Sequence, residues 1–472
     1  MKNILILVMF LWGISPLLFG QGCLPEGITF STQAQIDNFQ SDYPGCSEIE
    51  GDVTITGNDI TDLNGLSVLT AINGAFIIDE NPELEDLNGL GNLTTLGSNL
   101  FLFKNNALIS LSGLQNINTV SGDIDISDND NLKSLEGFNN LQSVQGSFLI
   151  FQNDSLSDIS ALGNLTYVGT HLGLNTNPAV QSLDGLSNLA TIGGGLGLYY
   201  MQGLTSFSGL ESLQTIGDFL AITYNFNLIT TEGFSSLQSI GGDLAINYNT
   251  LLETIDGFDN LVTVGGKLQV LDNPVMENVD GLSQLQSLGD EIHFWSNHEL
   301  QNVEALSKLT SINGQLYFRE NGSLTSLKGL ENINPETINK LVIFANASLS
   351  DCDVASICEY LANPSGTIQI GGNEEGCKTE AQVLAACLTG VDVESAESEV
   401  LFYPNPASNY ITIFKSGSEP GKRIRIYDLA GKEKISQEID EDWLYIAQLP
   451  TGIYIIEFSV NQHLVRQKLI KK

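Results

Sequence analysis

Chemistry in this chain would have to come from four histidines, six cysteines and an excess of acids, 56 Asp and Glu against 19 Lys and Arg. His171, His293, His298 and His463 match no metal-ligand spacing and sit in no nucleophile motif. Asp123, Asp125, Asp128 and Asp130 offer hard oxygen ligands, but the run lacks the glycine and terminal glutamate of a calcium loop. Asp79, Asp125 and Asp272 are the positions where an acid or base for polysaccharide cleavage would project from a strand. Scattered acids on an acidic surface are more often solvated. The Gly-Gly pairs at Gly193, Gly241 and Gly265 recur with the repeat described below and serve turns, not phosphates. The expectation is therefore no catalytic residue, no metal and no cofactor: a protein that is not an enzyme.

Aromatic residues are the better candidates for function. Phe101, Phe103, Phe151, Tyr199, Tyr200, Tyr224, Tyr248, His293, Trp295, Tyr317 and Phe344 fall between or just after buried strand positions. Strand alternation points such residues away from the core. The expected ligand site comprises Tyr199, Tyr200, Tyr224, Tyr248, His293, Trp295 and Tyr317. Exposed rings in a line suit sugar stacking or a protein partner. The competing reading is cross-strand stacking that only stabilises a parallel sheet.

What must position these rings is a strict repeat. Gly-Leu or Gly-Phe begins at Gly65, Gly89, Gly113, Gly137, Gly185, Gly209, Gly233, Gly257, Gly281 and Gly329, with Ala161-Leu162 and Ala305-Leu306 in the two gaps. Twelve copies follow one another every 24 residues without an insertion. A register this strict describes one coil of a stacked solenoid. Each coil carries an alternating apolar pair, such as Ile124/Ile126 or Leu220/Ile222, read as a short strand with one face buried. Later apolar residues recur at threes, as in Leu87, Leu90, Leu93 and Leu96, which suits turns and 3₁₀ or extended pieces. Three residues after the strand stands Asn81, Asn105, Asn129, Asn153, Asn177, Asn225, Asn249, Asn273, Asn297 or Asn321, with Met201 as the exception. Stacked, these predict an asparagine ladder that satisfies the backbone of the bend. The fold class expected is all-β: a right-handed parallel β-solenoid followed by a small β-sandwich.

The segment Cys46-Ser-Glu-Ile-Glu-Gly-Asp-Val-Thr-Ile-Thr-Gly57 and repeats such as Leu237-Gln-Ser-Ile-Gly-Gly-Asp-Leu-Ala-Ile-Asn-Tyr-Asn249 resemble the receptor L domain, a leucine-rich right-handed β-helix. The resemblance spans roughly residues 46–373, and implies a ligand-binding solenoid. The chain departs from receptors in its twelve uninterrupted coils and its lack of a cysteine-rich module.

The two ends differ from the middle. Residues 1–20 read as a signal peptide, with Lys2 before an apolar run from Ile4 to Phe19. No other stretch is apolar enough to span a membrane, so the mature chain should have no transmembrane span. Cysteines occur only at the ends, Cys23 and Cys46, then Cys352, Cys358, Cys377 and Cys387, and an even count in an exported chain argues disulfides. The first two should bridge; the last four allow three pairings. This gives an N-terminal cap at 21–50, the twelve-coil solenoid at 51–338, a last coil with a cysteine-rich cap at 339–390 and an acidic linker at 391–400.

Residues 401–472 change to alternating strands with turn punctuation. The motifs Tyr403-Pro-Asn-Pro-Ala-Ser-Asn-Tyr-Ile-Thr-Ile413, Arg425-Ile-Tyr-Asp-Leu-Ala-Gly-Lys432, Leu449-Pro-Thr-Gly-Ile-Tyr-Ile-Ile-Glu-Phe458 and Lys468-Leu-Ile-Lys-Lys472 closely resemble the C-terminal sorting domain of type IX secretion, type A. That resemblance implies the type IX machinery as a partner, export across the outer membrane, and removal of the domain with attachment of the mature chain to surface lipopolysaccharide. The net charge of −37 belongs to the solenoid, since residues 21–390 hold 44 acids and 8 bases. Such a surface repels nucleic acid and anionic membranes. The function expected is a secreted or surface-anchored, non-enzymatic binding or adhesion protein with a surface glycan or protein as ligand. The alternatives are a carbohydrate-binding protein for polysaccharide capture and a glycan-active β-helix enzyme.

Overall fold

The computed structural model describes residues 21–387, 401–403, 406–414, 422–429, 431–439, 443–460 and 463–472. The signal peptide expected at 1–20 and the linker expected at 391–400 lie outside the described residues.

The repeat folds into stacked coils with two parallel sheets. The longer sheet has 15 strands in strict chain order, and the shorter has 12. Strands of the long sheet pair without slippage: Ile124 faces Leu100 on one side and Phe148 on the other, and Ile126 faces Leu102 and Ile150. Alternation sets the burial. Ile124 and Ile126 are inside, while Asp125 and Ser127 are half-buried on the outer face. Neighbouring strands lie about 4.8 Å apart, so 15 of them make a rod roughly 65–70 Å long.

The long sheet exceeds the twelve repeat copies by three strands. Ile28–Phe30 lies in the expected N-terminal cap, and Lys340–Phe344 and Thr367–Gly371 lie in the C-terminal cysteine-rich segment. The short sheet consists mostly of two-residue strands such as Thr119–Val120 and Thr191–Ile192. These segments were expected as 3₁₀ or extended pieces; most of them join a second sheet.

The glycine register reflects close approach between coils. A Cβ on Gly113 would lie 1.8 Å from the Leu87 carbonyl oxygen of the preceding coil, and its φ is +121°. No side chain fits there. In the two coils where Ala161 and Ala305 stand instead, the backbone forms five-residue 3₁₀ segments, Ser160–Asn164 and Glu304–Lys308.

The asparagine ladder runs as the repeat predicts. Asn105, Asn129 and Asn153 are 0% exposed. Asn129 Oδ1 accepts from Asn105 N at 3.0 Å, and Asn129 N donates to Asn153 Oδ1 at 3.1 Å. The ladder also continues beyond the regular repeats, through Asn346 to Asn373, at spacings of 25 and 27 residues. Met201 is fully buried in the ladder column, and its backbone N–H donates to Asn225 Oδ1 at 2.9 Å.

The ends are stapled. Disulfides join Cys23 to Cys46, Cys352 to Cys377 and Cys358 to Cys387, each with Cα atoms 5.7 Å apart. The N-terminal cap carries two short helices, Gln33–Asp37 and Phe39–Asp42. Thr32 and Gln35 form a capping box on the first, which satisfies its leading backbone donors. Ile36 and Phe39 seal the apolar cross-section of the first coils.

Residues 401–472 form two antiparallel sheets. One has three strands, Leu401–Tyr403, Tyr410–Phe414 and Trp443–Tyr445; the other has four, Lys422–Asp428, Glu433–Ile439, Gly452–Val460 and His463–Lys471. Ile411 and Leu444 from the first share a core with Ile424, Ile426, Ile456 and Leu469 from the second. This is the small sandwich expected from the strand spacing.

Candidate aromatic binding site

Twelve residues just past the strands of the long sheet, from Glu80 through Tyr200, Tyr224 and Tyr248 to Ala345, have φ between +52° and +62°. The solenoid thus makes a left-handed turn before every ladder position. The column is mostly polar or charged: Glu80, Lys104, Asp128, Gln152, Thr176, Asp272, Ser296 and Glu320. Tyrosine breaks it in three consecutive coils. A bulky side chain in this conformation costs roughly 1–2 kcal/mol relative to right-handed backbone.

The three tyrosines stack. Tyr200 and Tyr224 have ring centroids 4.8 Å apart at 14°, and Tyr224 and Tyr248 lie 4.9 Å apart at 14°. Each such pair contributes about 0.5–1.5 kcal/mol beyond area burial, enough to offset much of the backbone cost. Phe226, absent from the sequence-based site, meets Tyr200 at 6.4 Å and Tyr224 at 6.2 Å, both edge-on. It follows Asn225 directly, a position held in other coils by residues such as Asn106, Asp130, Asp154 and Thr250. That apolar break in a polar column was the available signal. Tyr200 and Phe226 are exposed, as are Leu251 and Val275 in the equivalent turn of the next two coils. The result is an apolar strip on an acidic rod, with the inner ring faces turned to one another and the ring edges outward.

The other sequence-predicted residues fall elsewhere. Tyr199 does not project. A Cβ on Gly197 would come within 2.4 Å of the Tyr199 ring, so the tyrosine lies down over the strand. Its burial pushes the phenol pKa up. His293 and Tyr317 are direct cross-strand partners with rings 4.2 Å apart. Burial lowers the His293 pKa, with Glu291 opposing, and His293 Nε2 has no hydrogen-bond partner. Trp295 is 38% exposed, and its indole N–H donates to Glu320 Oε2 at 3.0 Å. Glu320 also accepts from Arg319 Nε at 2.8 Å, and these two donors, the indole first, hold its carboxyl below the usual range. The seven residues therefore divide into the Tyr200–Tyr224–Tyr248 stack, a separate Trp295/His293/Tyr317 group two to three coils beyond Tyr248, and Tyr199 alone.

Asp123, Asp125 and His171 have local duties. Asp123 Oδ1 accepts from Ser147 N at 2.7 Å, and Asp125 accepts from the Ser127 hydroxyl. His171 Nδ1 accepts from Gly195 N at 2.8 Å, and its ring stacks on Phe219 at 5.7 Å. Among the described residues, no three His, Cys, Asp or Glu side chains converge on a point where a metal ion would fit.

In the C-terminal sandwich, the four motifs of the sequence fall on or beside its strands, and the last strand, His463–Lys471, pairs along its full length with Gly452–Val460. Residues 401–472 match the family of secretion system C-terminal sorting domains. The chain is therefore exported by type IX secretion to the cell surface or the extracellular space, and its sorting domain interacts with that machinery. No helix among the described residues is long and apolar enough to cross a membrane. No curated protein matches the chain.

Proposed function

We propose that the solenoid is a non-enzymatic binding or adhesion module, delivered to the cell exterior by its sorting domain, and that its ligand docks on the tyrosine stack. The observation that carries this reading is the run of three stacked tyrosines, with Phe226 against them, in a column that is otherwise polar. A fold that needed only the left-handed turn has no use for tyrosine there, because the polar residues of the other coils make the same turn. The resemblance of the coils to the receptor L domain points the same way.

The ring geometry favours a protein partner. Stacked faces are spent on each other, so a ligand meets edges, hydroxyls and Phe226 rather than open faces. Trp295 supports a second reading, polysaccharide capture: it is a single exposed indole, fixed by Glu320, on which a sugar ring can stack. The acidic surface directs either ligand toward neutral or basic chemistry.

The test is binding of the purified protein to intact cells and to a glycan array, before and after protease treatment of the cells. Protease-sensitive binding lost in Tyr224→Ala supports the first reading. Glycan binding lost in Trp295→Ala supports the second. Release of new reducing ends from a polysaccharide would refute a non-enzymatic role.

A further inference from the structure

The two outward faces of the sorting domain are unlike each other. On the four-stranded sheet, Arg425, Glu457 and Arg466 lie directly opposite one another on three adjacent strands. Glu457 is buried there, with its Oε2 2.8 Å from Arg466 Nη2 and its Oε1 3.5 Å from Arg425 Nη1, while Tyr427 donates its hydroxyl at 3.3 Å. A buried carboxylate held by two guanidiniums and a phenol is satisfied within the domain. That face needs nothing from outside.

The three-stranded sheet is the opposite case. Ile411 and Leu444 point into the core, so the residues that alternate with them point out. Those residues are Tyr410, directly opposite Tyr445, and Thr412, directly opposite Trp443. Tyr410 is 57% exposed, Tyr445 55% and Trp443 49%. Three large aromatics thus occupy neighbouring positions on two paired strands, with no ring contact between them to account for their presence. Trp and Tyr at this density on an open face are the residues that dominate protein interfaces.

We propose that the Tyr410–Trp443–Tyr445 face is the surface by which the type IX export machinery recognises this chain. The occupant follows from the domain: residues 401–472 match a sorting domain, whose reader lies outside the chain, and the other outward face is closed by its own ion pairs. The complementary surface on the machinery is a hydrophobic patch or groove that accepts aromatic side chains. The proposal is independent of any ligand on the solenoid.

The experiment uses the full-length chain, with its own N-terminus, expressed in a type IX-competent host. Tyr410→Ser, Trp443→Ser and Tyr445→Ser are combined in one variant. Thr412→Arg forms a second, placing a long cation in the middle of the same face at a half-buried polar position. Arg423→Ser, on the other sheet, serves as a control. Periplasmic and exterior fractions are quantified, and protease resistance of the periplasmic sorting domain reports folding. Both face variants are expected to raise the periplasmic-to-exterior ratio at least tenfold while the Arg423→Ser chain is exported as the native one is. If the triple variant fails to fold, Thr412→Arg decides alone. Native export of a folded Thr412→Arg or triple variant, whether or not its self-association changes, overturns the proposal.

Discussion

Asn129→Ala isolates what one rung of the asparagine ladder contributes. The native side chain donates from Nδ2 to Leu102 O and Ser127 O, each at 3.0 Å, and to Asn153 Oδ1 at 3.2 Å. Its Oδ1 accepts from Asn105 N at 3.0 Å and Asn105 Nδ2 at 3.3 Å. Alanine removes all five bonds and leaves the Asn105 amide N–H buried without an acceptor. That orphaned donor alone costs about 1–3 kcal/mol. With the lost bonds and the small void, the expected destabilisation is about 2–4 kcal/mol, toward the upper end for a single substitution. Met201→Asn makes the useful contrast. It supplies the missing rung and an acceptor for Asn177 N, but gives up a buried methionine, worth about 1.5–3 kcal/mol, so the net change should stay within about 1 kcal/mol. Urea unfolding of the full chain followed by circular dichroism measures both, and hydrogen exchange at Asn105 locates the effect. A loss below about 0.5 kcal/mol for Asn129→Ala, or unchanged protection at Asn105, would refute the claim that the ladder holds the bend.

Two further outcomes concern the ends and the charged face. Non-reducing peptide mapping should find Cys23–Cys46, Cys352–Cys377 and Cys358–Cys387; a Cys352–Cys358 link would contradict the folded cap. Asp125 has its carboxyl pKa raised, chiefly by burial, against the lowering effect of its Ser127 hydrogen bond. Its favourable contribution is complete below the unfolded carboxyl value, near 3.9, and is lost as pH rises through the raised folded value. Asp125→Asn should therefore raise the melting temperature more at pH 7 than at pH 3, and equal shifts at both would show that burial of the charge is not the cause.

Much of the architecture is readable because a 24-residue period repeats each physical requirement twelve times. The glycine at a close coil contact, the buried strand pair and the ladder asparagine each appear as a column. Where the period slips, legibility fails. Asn346 and Asn373 belong to the ladder, but their spacings of 25 and 27 residues hide them. The short sheet escaped notice because two residues, as in Ser143–Val144, cannot show alternation. At the candidate site, alternation identified which residues leave the core but not how they lie. Tyr199, expected to project, lies over Gly197. Tyr200, Tyr224 and Tyr248 come together because they leave the same left-handed turn in successive coils, one strand spacing apart, so their rings stack in register; a two-residue period carries no signature of that turn. The cysteine pairing at the C-terminal end depended on how the fold sets helix Ala355–Ala362, which carries Cys358, against helix Glu380–Ala386, which Cys387 caps, and spacing alone left that open.

The most direct test of the central claim is the affinity of the native protein and of Tyr224→Ala for the cell-surface preparation that the native protein binds, measured beside thermal unfolding. Tyr224 is the middle ring, in contact with Tyr200, Tyr248 and Phe226. Removing a central interface aromatic costs about 1–3 kcal/mol, a loss of roughly 5- to 150-fold in affinity. The expected result is that loss with only a small shift in melting temperature, because the buried pair Leu220 and Ile222 is untouched. Unchanged affinity together with a clearly lowered melting temperature would show that the stack stabilises the solenoid and binds nothing.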